Sequence, residues 1–345
     1  MTRISAYTTL RNAREMDYPF VESIQSALGF ADEVVVFDSS NTGKSSDGTI
    51  DSLLDLQNRD SRVIVVHEDI DWEAPNHGIL DGETKARARA KCTGDYLIQF
   101  DSDEVFHENQ TELWKEAVER LNQGTVPSEA VMAFPVIEFW GNRLGKVRLD
   151  INLEKPRLSR NLPSLITHGI PGHLRKYSKT GLLYACPGTD TCDYIHSVTH
   201  VSLPWITTIP EYIRKVQQFA QGDVRAALHL QTWFNSTITT VPSVYHYSWF
   251  SIKRKMDQYR RWWTTFWKAM YDLDRDPRDN PFFPGRTWEE VSEKEMEELA
   301  VALEEKTGGH IFHSPWDGFE RQSMYLTLGS HPAVMDHWRK EHSSR

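Results

Sequence analysis

An α/β fold built on a doubly wound, mostly parallel sheet is the architecture this sequence predicts, and three observations predict it. Over roughly the first hundred residues, apolar runs of strand length alternate with segments whose apolar residues recur at helical spacing, the grammar of successive βαβ units. The run Val34, Val35, Val36, Phe37 is apolar at every position, as a strand covered on both faces must be. The stretch GDYLIQFDSDE, residues 94–104, takes a short apolar strand straight into three carboxylates. The carboxyl ends of strands are where ligands bind in such sheets.

The elements follow in order. Ile4–Leu10 reads as the first strand, closed by Arg11 and Asn12. Phe20, Val21, Ile24, Ala27 and Leu28 fall at helical spacing, and Gly29 stands where that helix stops. The second strand ends at Asp38. After the loop SSNTGKSSDGT, Asp47 is placed to cap a helix carrying Ile50, Leu53 and Leu54, and RVIVVHE is the third strand. A polar loop through Trp72 and His77 leads to the helix ETKARARAKC, which delivers the chain to the strand Tyr96–Phe100. Beyond it, AFPVIEFWGN and the basic KVRLDINLEKPRLSR read as continued sheet with an exposed edge. MDQYRRWWTTFWKAMYDL and SEKEMEELAVALEEKTGG read as helices of a C-terminal extension.

A chain of 345 residues with 39% apolar content can bury a substantial core. The 49 acidic against 39 basic residues give a net charge of -10, which argues against non-specific attraction to nucleic acid or anionic membrane. The opening MTRISAYTTLRNAREMDYP lacks the apolar core of a signal peptide. Residues Leu228–Ile252 carry no charge but are studded with Gln, Thr, Asn, Ser, His and Pro, so they do not read as a membrane span. Cys92, Cys186 and Cys192 suit a reducing compartment better than a disulfide framework. The expectation is a cytoplasmic protein without a transmembrane segment, and Arg260, Arg261, Trp262, Trp263 and Trp267 leave a peripheral membrane contact open. Cys186, Cys192, His196 and His200 are four residues of zinc-ligand type, at a wider spacing than the common fingers use.

Asp101, Asp103 and Glu104 crowd the end of a buried strand, where carboxylates repel one another and lose solvation unless a cation or metal accompanies them. The plain alternative is an acidic surface turn. A helix-loop-helix calcium site is excluded, because Val105 and Phe106 stand where it needs an oxygen ligand and a glycine. Gly43-Lys44-Ser45 lacks the earlier glycine of a phosphate-binding loop, and no Gly-x-Gly-x-x-Gly follows any of these strands.

Three pieces resemble the glycosyltransferases of the GT-A fold, most closely family 2: LRNAREMDYPFVESIQSALGFADEVVVFDSSNTGKSSDGT, TKARARAKCTGDYLIQFDSDE and VYHYSWF. The likeness is dense over the first third of the chain and patchy beyond, and Asn41–Ser45 lengthens the loop after Asp38 relative to the family pattern. It implies a Rossmann-like GT-A domain over residues 1–250, with a nucleotide-sugar half (1–130) and an acceptor half (131–250), and a helical region (251–345) packed on it. It also implies transfer of a sugar from a nucleotide sugar, a UDP sugar being the first expectation, to an acceptor hydroxyl with inversion. The alternatives are a nucleotidyltransferase, which should need a basic glycine-rich triphosphate loop, and a non-catalytic nucleotide-sugar binding module.

By this resemblance Asp101, Asp103 and His246 are metal-site residues for Mn²⁺ or Mg²⁺, with Asp103 the direct ligand, Asp101 nearer the ribose and Glu104 behind them. For His246 the alternative is an imidazole packed among aromatics. Asp38 matches the residue that reads the nucleotide base, with Thr9 and Arg11 beside it. Lys85 and Arg89 share a helical face toward the donor phosphates or form a solvated basic face, and Lys255 is a further diphosphate candidate. Asp190 and Asp193 are candidates for the base that deprotonates the acceptor, with His168 a rival. Trp140 and His168 are acceptor-side candidates, although a lone Trp in a sheet is more often core. The acceptor class stays open among a glycan, a lipid-linked sugar, a protein side chain and a hydroxylated nucleic-acid base, the last disfavoured by net charge.

Overall fold

The computed structural model describes residues 2–40, 47–70, 78–123, 128, 130–141, 146–148, 154–163, 165–167, 183–185, 200–201, 225, 228–229, 231–232, 235, 241–271, 276–278, 280–305, 325–327 and 330–343. In chain order the strands are β1 (Ile4–Leu10), β2 (Glu33–Asp38), β3 (Val63–His67), β4 (Tyr96–Gln99), β5 (Glu104–Val105), β6 (Val131–Phe139), β7 (Lys146–Arg148), β8 (Glu154–Arg160), β9 (Leu165–Thr167), β10 (Leu183–Ala185), β11 (His200–Val201), β12 (Val244–His246) and β13 (Tyr325–Thr327). The α-helices are α1 (Phe20–Ala27), α2 (Thr49–Arg59), α3 (Gly78–Ala90), α4 (Thr111–Leu121), α5 (Ile252–Tyr271), α6 (Glu293–Glu305) and α7 (Asp336–Ser343).

Among the described residues eleven strands share one sheet, whose main path runs β13-β7-β6-β8-β4-β1-β2-β3. The half formed by β3, β2, β1 and β4 is parallel. Beyond β4, successive pairings along this path, β4–β8, β8–β6, β6–β7 and β7–β13, are antiparallel, while β11 and β12 join β6 in parallel. The sheet is wound on both faces, because alternate side chains of β1 and β2 enter different cores. Ile4, Ala6, Val34 and Val36 pack with α1, α2 and α4. Tyr7, Val35 and Phe37 pack with Ala88 of α3 and Cys92. The α/β expectation therefore holds.

The amino ends of β1, β2 and β4 are tied by one carboxylate. Glu33 accepts from Ser5 Oγ at 2.6 Å, from Thr93 N at 2.6 Å and from Arg3 Nη2 at 2.8 Å. Gly94 sits so close to Ser5 that an added Cβ would stand 2.7 Å from the Ser5 nitrogen, so only glycine fits this entry into β4. Asp47 does its capping one residue ahead of the helix boundary, its carboxylate accepting from Thr49 N at 2.9 Å.

One expectation is corrected. The basic stretch after residue 145 is not an exposed edge: β8 lies between β4 and β6, and β7 between β6 and β13. Lys155, Arg157 and Ser159 alternate along β8, and the charges of the first two are met by carboxylates at the end of β4. That pairing is what lets a basic strand lie inside a sheet. The region after residue 250 packs through Ile252, Met256, Phe282, Trp288, Met296 and Leu303 against Trp140 and Trp249. It also contributes β13, so it is not wholly helical.

Candidate active site

Parallel register brings the carboxyl ends of β1, β2, β3 and β4 to one edge, with Leu10 beside Asp38, Asp38 beside His67, and Tyr7 beside Gln99. At this edge the chain leaves β4 through the turn Asp101–Glu104. The turn is closed on itself: Glu104 N donates to Asp101 O at 3.0 Å, and Asp101 N donates to Glu104 Oε2 at 3.0 Å. Ser23 of α1 donates to the Glu104 carbonyl and anchors the turn from below.

Asp101 is ringed by cations from two elements. Its Oδ1 lies 3.3 Å from Lys85 Nζ of α3, and its Oδ2 lies 2.8 Å from Arg157 Nη2 and 3.4 Å from Lys155 Nζ of β8. Burial alone would raise the Asp101 carboxyl, but Lys85, Arg157 and Lys155 hold it well below the usual range. Glu104, fully buried, takes the same Lys155 at 2.7 Å and Arg157 at 2.5 Å. Burial works against both cations, and the two carboxylates outweigh it, raising Lys155 and Arg157.

Asp103 points to a different partner. Its Oδ1 lies 3.3 Å from His246 Nε2, and its carbonyl accepts from Tyr247 N at 2.8 Å. His246 Nδ1 lies 2.8 Å from Oε2 of Glu138, fully buried on β6. These contacts follow from register, since β12 lies between β5 and β6 and places His246 beside both Glu104 and Glu138. Burial pushes the His246 imidazole down, but Glu138 and Asp103 bring it up to about 9. Burial likewise raises Asp103, and His246, Lys255 and Lys155 more than offset that.

The set fits a divalent cation. Two ligands of one small hard ion stand roughly 3 Å apart when adjacent in its shell, and Asp103 Oδ1 and His246 Nε2 are separated by 3.3 Å. A carboxylate behind the imidazole, here Glu138, is the usual outer partner of a metal-bound His. Among the described residues no cluster of three or more His, Cys, Asp or Glu side chains forms a complete cage, and Mg²⁺ or Mn²⁺ in such sites takes its remaining ligands from phosphate and water. Asp101, the other residue expected at the metal, is met by three cations, Lys85, Lys155 and Arg157.

Asp38 is fully buried; its Oδ1 accepts from Ser40 Oγ at 2.6 Å, and its Oδ2 lies 2.7 Å from His67 Nδ1. Thr9 and the exposed Arg11 stand near it at the end of β1. Lys255 donates to Ser248 Oγ at 2.6 Å, and burial lowers its ammonium to about 8 despite Asp103 nearby.

Two expected residues are committed elsewhere. Arg89 is buried, with Nε on Leu165 O, Nη1 on Ser159 Oγ and Nη2 on Arg160 O, so it braces strand ends and does not face the donor side with Lys85. Trp140 is fully buried, stacked on Trp249 at 5.2 Å with its indole N–H on Leu303 O, and presents no platform to a sugar. Asp190, Asp193, His168, Cys186, Cys192 and His196 lie outside the described residues. Lys155, Arg157 and Glu138 escaped sequence reasoning. The alternation of Lys155 with Arg157 was a usable signal, whereas nothing local distinguishes Glu138.

No protein-family model and no curated protein sequence matches this chain. Among solved structures, the S. aureus protein TarS, residues 1–349, is similar at 14% identity and a TM-score of 0.34, covering 88% of this chain and 90% of that one. The same protein in complex with UDP-GlcNAc aligns at 12% identity and a TM-score of 0.34. The mannosyltransferase PcManGT from Pyrobaculum calidifontis, in complex with GDP-Man and Mn²⁺, aligns at 18% identity and a TM-score of 0.28. That alignment covers 40% of this chain and only 36% of the mannosyltransferase. Among the described residues no helix is long and apolar enough to cross a membrane.

Proposed function

We propose that this chain is a glycosyltransferase that moves a sugar from a nucleoside diphosphate sugar, a UDP sugar in the first instance, to an acceptor hydroxyl with inversion. The observation that carries the reading is the edge where Asp38, Asp101 and Asp103 end parallel strands or their following turn, with Lys85, Lys155 and Lys255 gathered around the carboxylates. A leaving nucleoside diphosphate bears heavy negative charge, and cations fixed in advance stabilise its departure.

In this reading Asp38 and Thr9 face the nucleoside, and Arg11, Lys85 and Lys255 face the diphosphate. Asp103 and His246 hold Mn²⁺ or Mg²⁺, which when bound neutralises the diphosphate oxygens. Glu138 keeps the His246 ring turned so that Nε2 faces Asp103. Arg157 and Lys155 pair with Asp101 and Glu104 and fix the turn that carries Asp103. Either Asp190 or Asp193 takes the proton of the acceptor hydroxyl on the side opposite the leaving group. Residues 1–250 form the catalytic domain, and the segment after residue 250 supports it.

The experiment that tests this follows products. Incubation with nucleotide sugars should release nucleoside diphosphate. Release of pyrophosphate from a nucleoside triphosphate would instead indicate nucleotidyl transfer, and binding without release would indicate a module that only holds the donor.

A further inference from the structure

Two buried arginines stand near the site, and they differ in what meets their charge. Arg157, 3% exposed, has Asp101 at 2.8 Å and Glu104 at 2.5 Å. Arg254, at the start of α5, is 9% exposed, and no carboxylate among the described residues lies within ion-pair distance of its guanidinium. Its partners are carbonyls: Nη1 donates to Asp17 O, and Nη2 donates to Tyr247 O at 2.8 Å and to Ser248 O at 3.2 Å. Carbonyls satisfy N–H groups without cancelling a full charge, and in Arg that charge is permanent. Burial, the largest influence, lowers the Arg254 guanidinium, and Tyr18, Asp103 and Asp17 do not make up for it. Asp103 and Asp17 have nearer partners, His246 at 3.3 Å and His342 at 2.8 Å.

Lys255 repeats the pattern. It donates to Ser248 Oγ at 2.6 Å, and it too has no carboxylate within ion-pair distance among the described residues. Both cations thus hold residues 247–248, the segment directly after His246. That segment is tied to the metal side, because Tyr247 N donates to Asp103 O at 2.8 Å. With only the span of Tyr247 between those two bonds, Arg254 Nη2 stands within about 10 Å of the Asp103 carbonyl. A unit charge in a protein interior is felt at that range, and a buried cation without a counter-charge is costly.

We infer that Arg254 is a fixed counter-charge for a diphosphate bound beside Asp103 and His246, acting through its field across residues 247–248 and not by contact. The inference rests on the glycosyltransferase reading, in which the donor diphosphate occupies that place. Such a charge favours ligands according to their own charge, a nucleoside diphosphate over the bare nucleoside.

The test titrates the full chain with UDP and with uridine in the presence of Mn²⁺, in wild type and three variants. Arg254→Lys keeps the charge and loses the planar fork that spans the carbonyls, whereas Arg254→Gln loses the charge. Gln258→Glu sets a carboxylate one helical turn from Arg254, which stays in place. The expected result is a preference for UDP over uridine that falls about tenfold in Arg254→Gln and in Gln258→Glu and stays within about threefold of wild type in Arg254→Lys. Uridine affinity should be the same in all four proteins. Should Arg254→Gln not fold, Gln258→Glu decides alone. Equal losses in Arg254→Lys and Arg254→Gln, or a wild-type preference in Gln258→Glu, would mean that Arg254 only grips the chain, and would overturn the inference even where a donor still releases its nucleoside diphosphate. If the preference follows charge as expected while no nucleotide sugar releases its nucleoside diphosphate, the counter-charge stands and the glycosyltransferase reading falls. A wild type that binds no UDP overturns both.

Discussion

Arg157 and Glu104 meet with Nη2 2.5 Å from Oε1, their side chains 3% and 0% exposed. Neither charge reaches water, and breaking a buried ion pair by removing one partner costs about 3–5 kcal/mol. Lys155 still reaches Glu104 at 2.7 Å, which puts Arg157→Met near the lower end, about 3 kcal/mol. Adding Glu104→Gln should recover part of that loss. Urea denaturation of the single and double variants checks this, and a single variant as stable as wild type would show that Lys155 alone suffices.

Glu138→Gln leaves a group of the same shape behind His246 but removes the charge that orients it. Changing such an outer partner lowers metal affinity about 10–100-fold. Mn²⁺ titration in the presence of a nucleoside diphosphate measures it. Unchanged Mn²⁺ affinity would mean that His246 is a packed imidazole and not a ligand.

Glu33 sets a pH dependence far from the site. Burial tends to raise its carboxyl, and the bonds from Ser5 and Thr93, with Arg3 alongside, outweigh that and leave it lowered. A carboxyl with a depressed folded pKa contributes its full stability above the unfolded value, about 4.3, and loses it as pH falls through the folded pKa. Glu33→Gln should therefore cost about 1–3 kcal/mol at neutral pH, with the gap to wild type closing in acid. Urea midpoints that differ by the same amount at neutral and acidic pH would contradict this.

Lys255, brought down to about 8 first by burial, loses its charge as pH rises through that value. If it meets the donor diphosphate, kcat/KM falls on the alkaline side of about 8, because this ratio reports groups of the free enzyme. Lys255→Arg keeps the charge and should remove that limb within the accessible range. An alkaline limb that survives in Lys255→Arg belongs to another group.

The parallel half of the sheet was legible because periodicity and turn chemistry report local structure, and Asp38, Asp101 and Asp103 fall at strand ends fixed by those signals. What was not legible depends on distant partners. Lys155 and Arg157 read as an exposed basic edge because charge in a strand implies solvent, and only the β4–β8 pairing reveals the carboxylates that cover them. Arg89 and Lys85 lie one helical turn apart, yet one braces strand carbonyls and the other reaches Asp101, a difference that a shared helical face cannot foretell. The pairing of Glu138 with His246 joins residues 108 positions apart.

Nucleoside diphosphate release from a panel of nucleotide sugars, with and without Mn²⁺, in wild type and Asp103→Asn, tests the central claim most directly. The account predicts Mn²⁺-stimulated release from at least one donor, reduced about a hundredfold or more in Asp103→Asn with the fold retained. No release from any donor, or equal release by the two proteins, would contradict it.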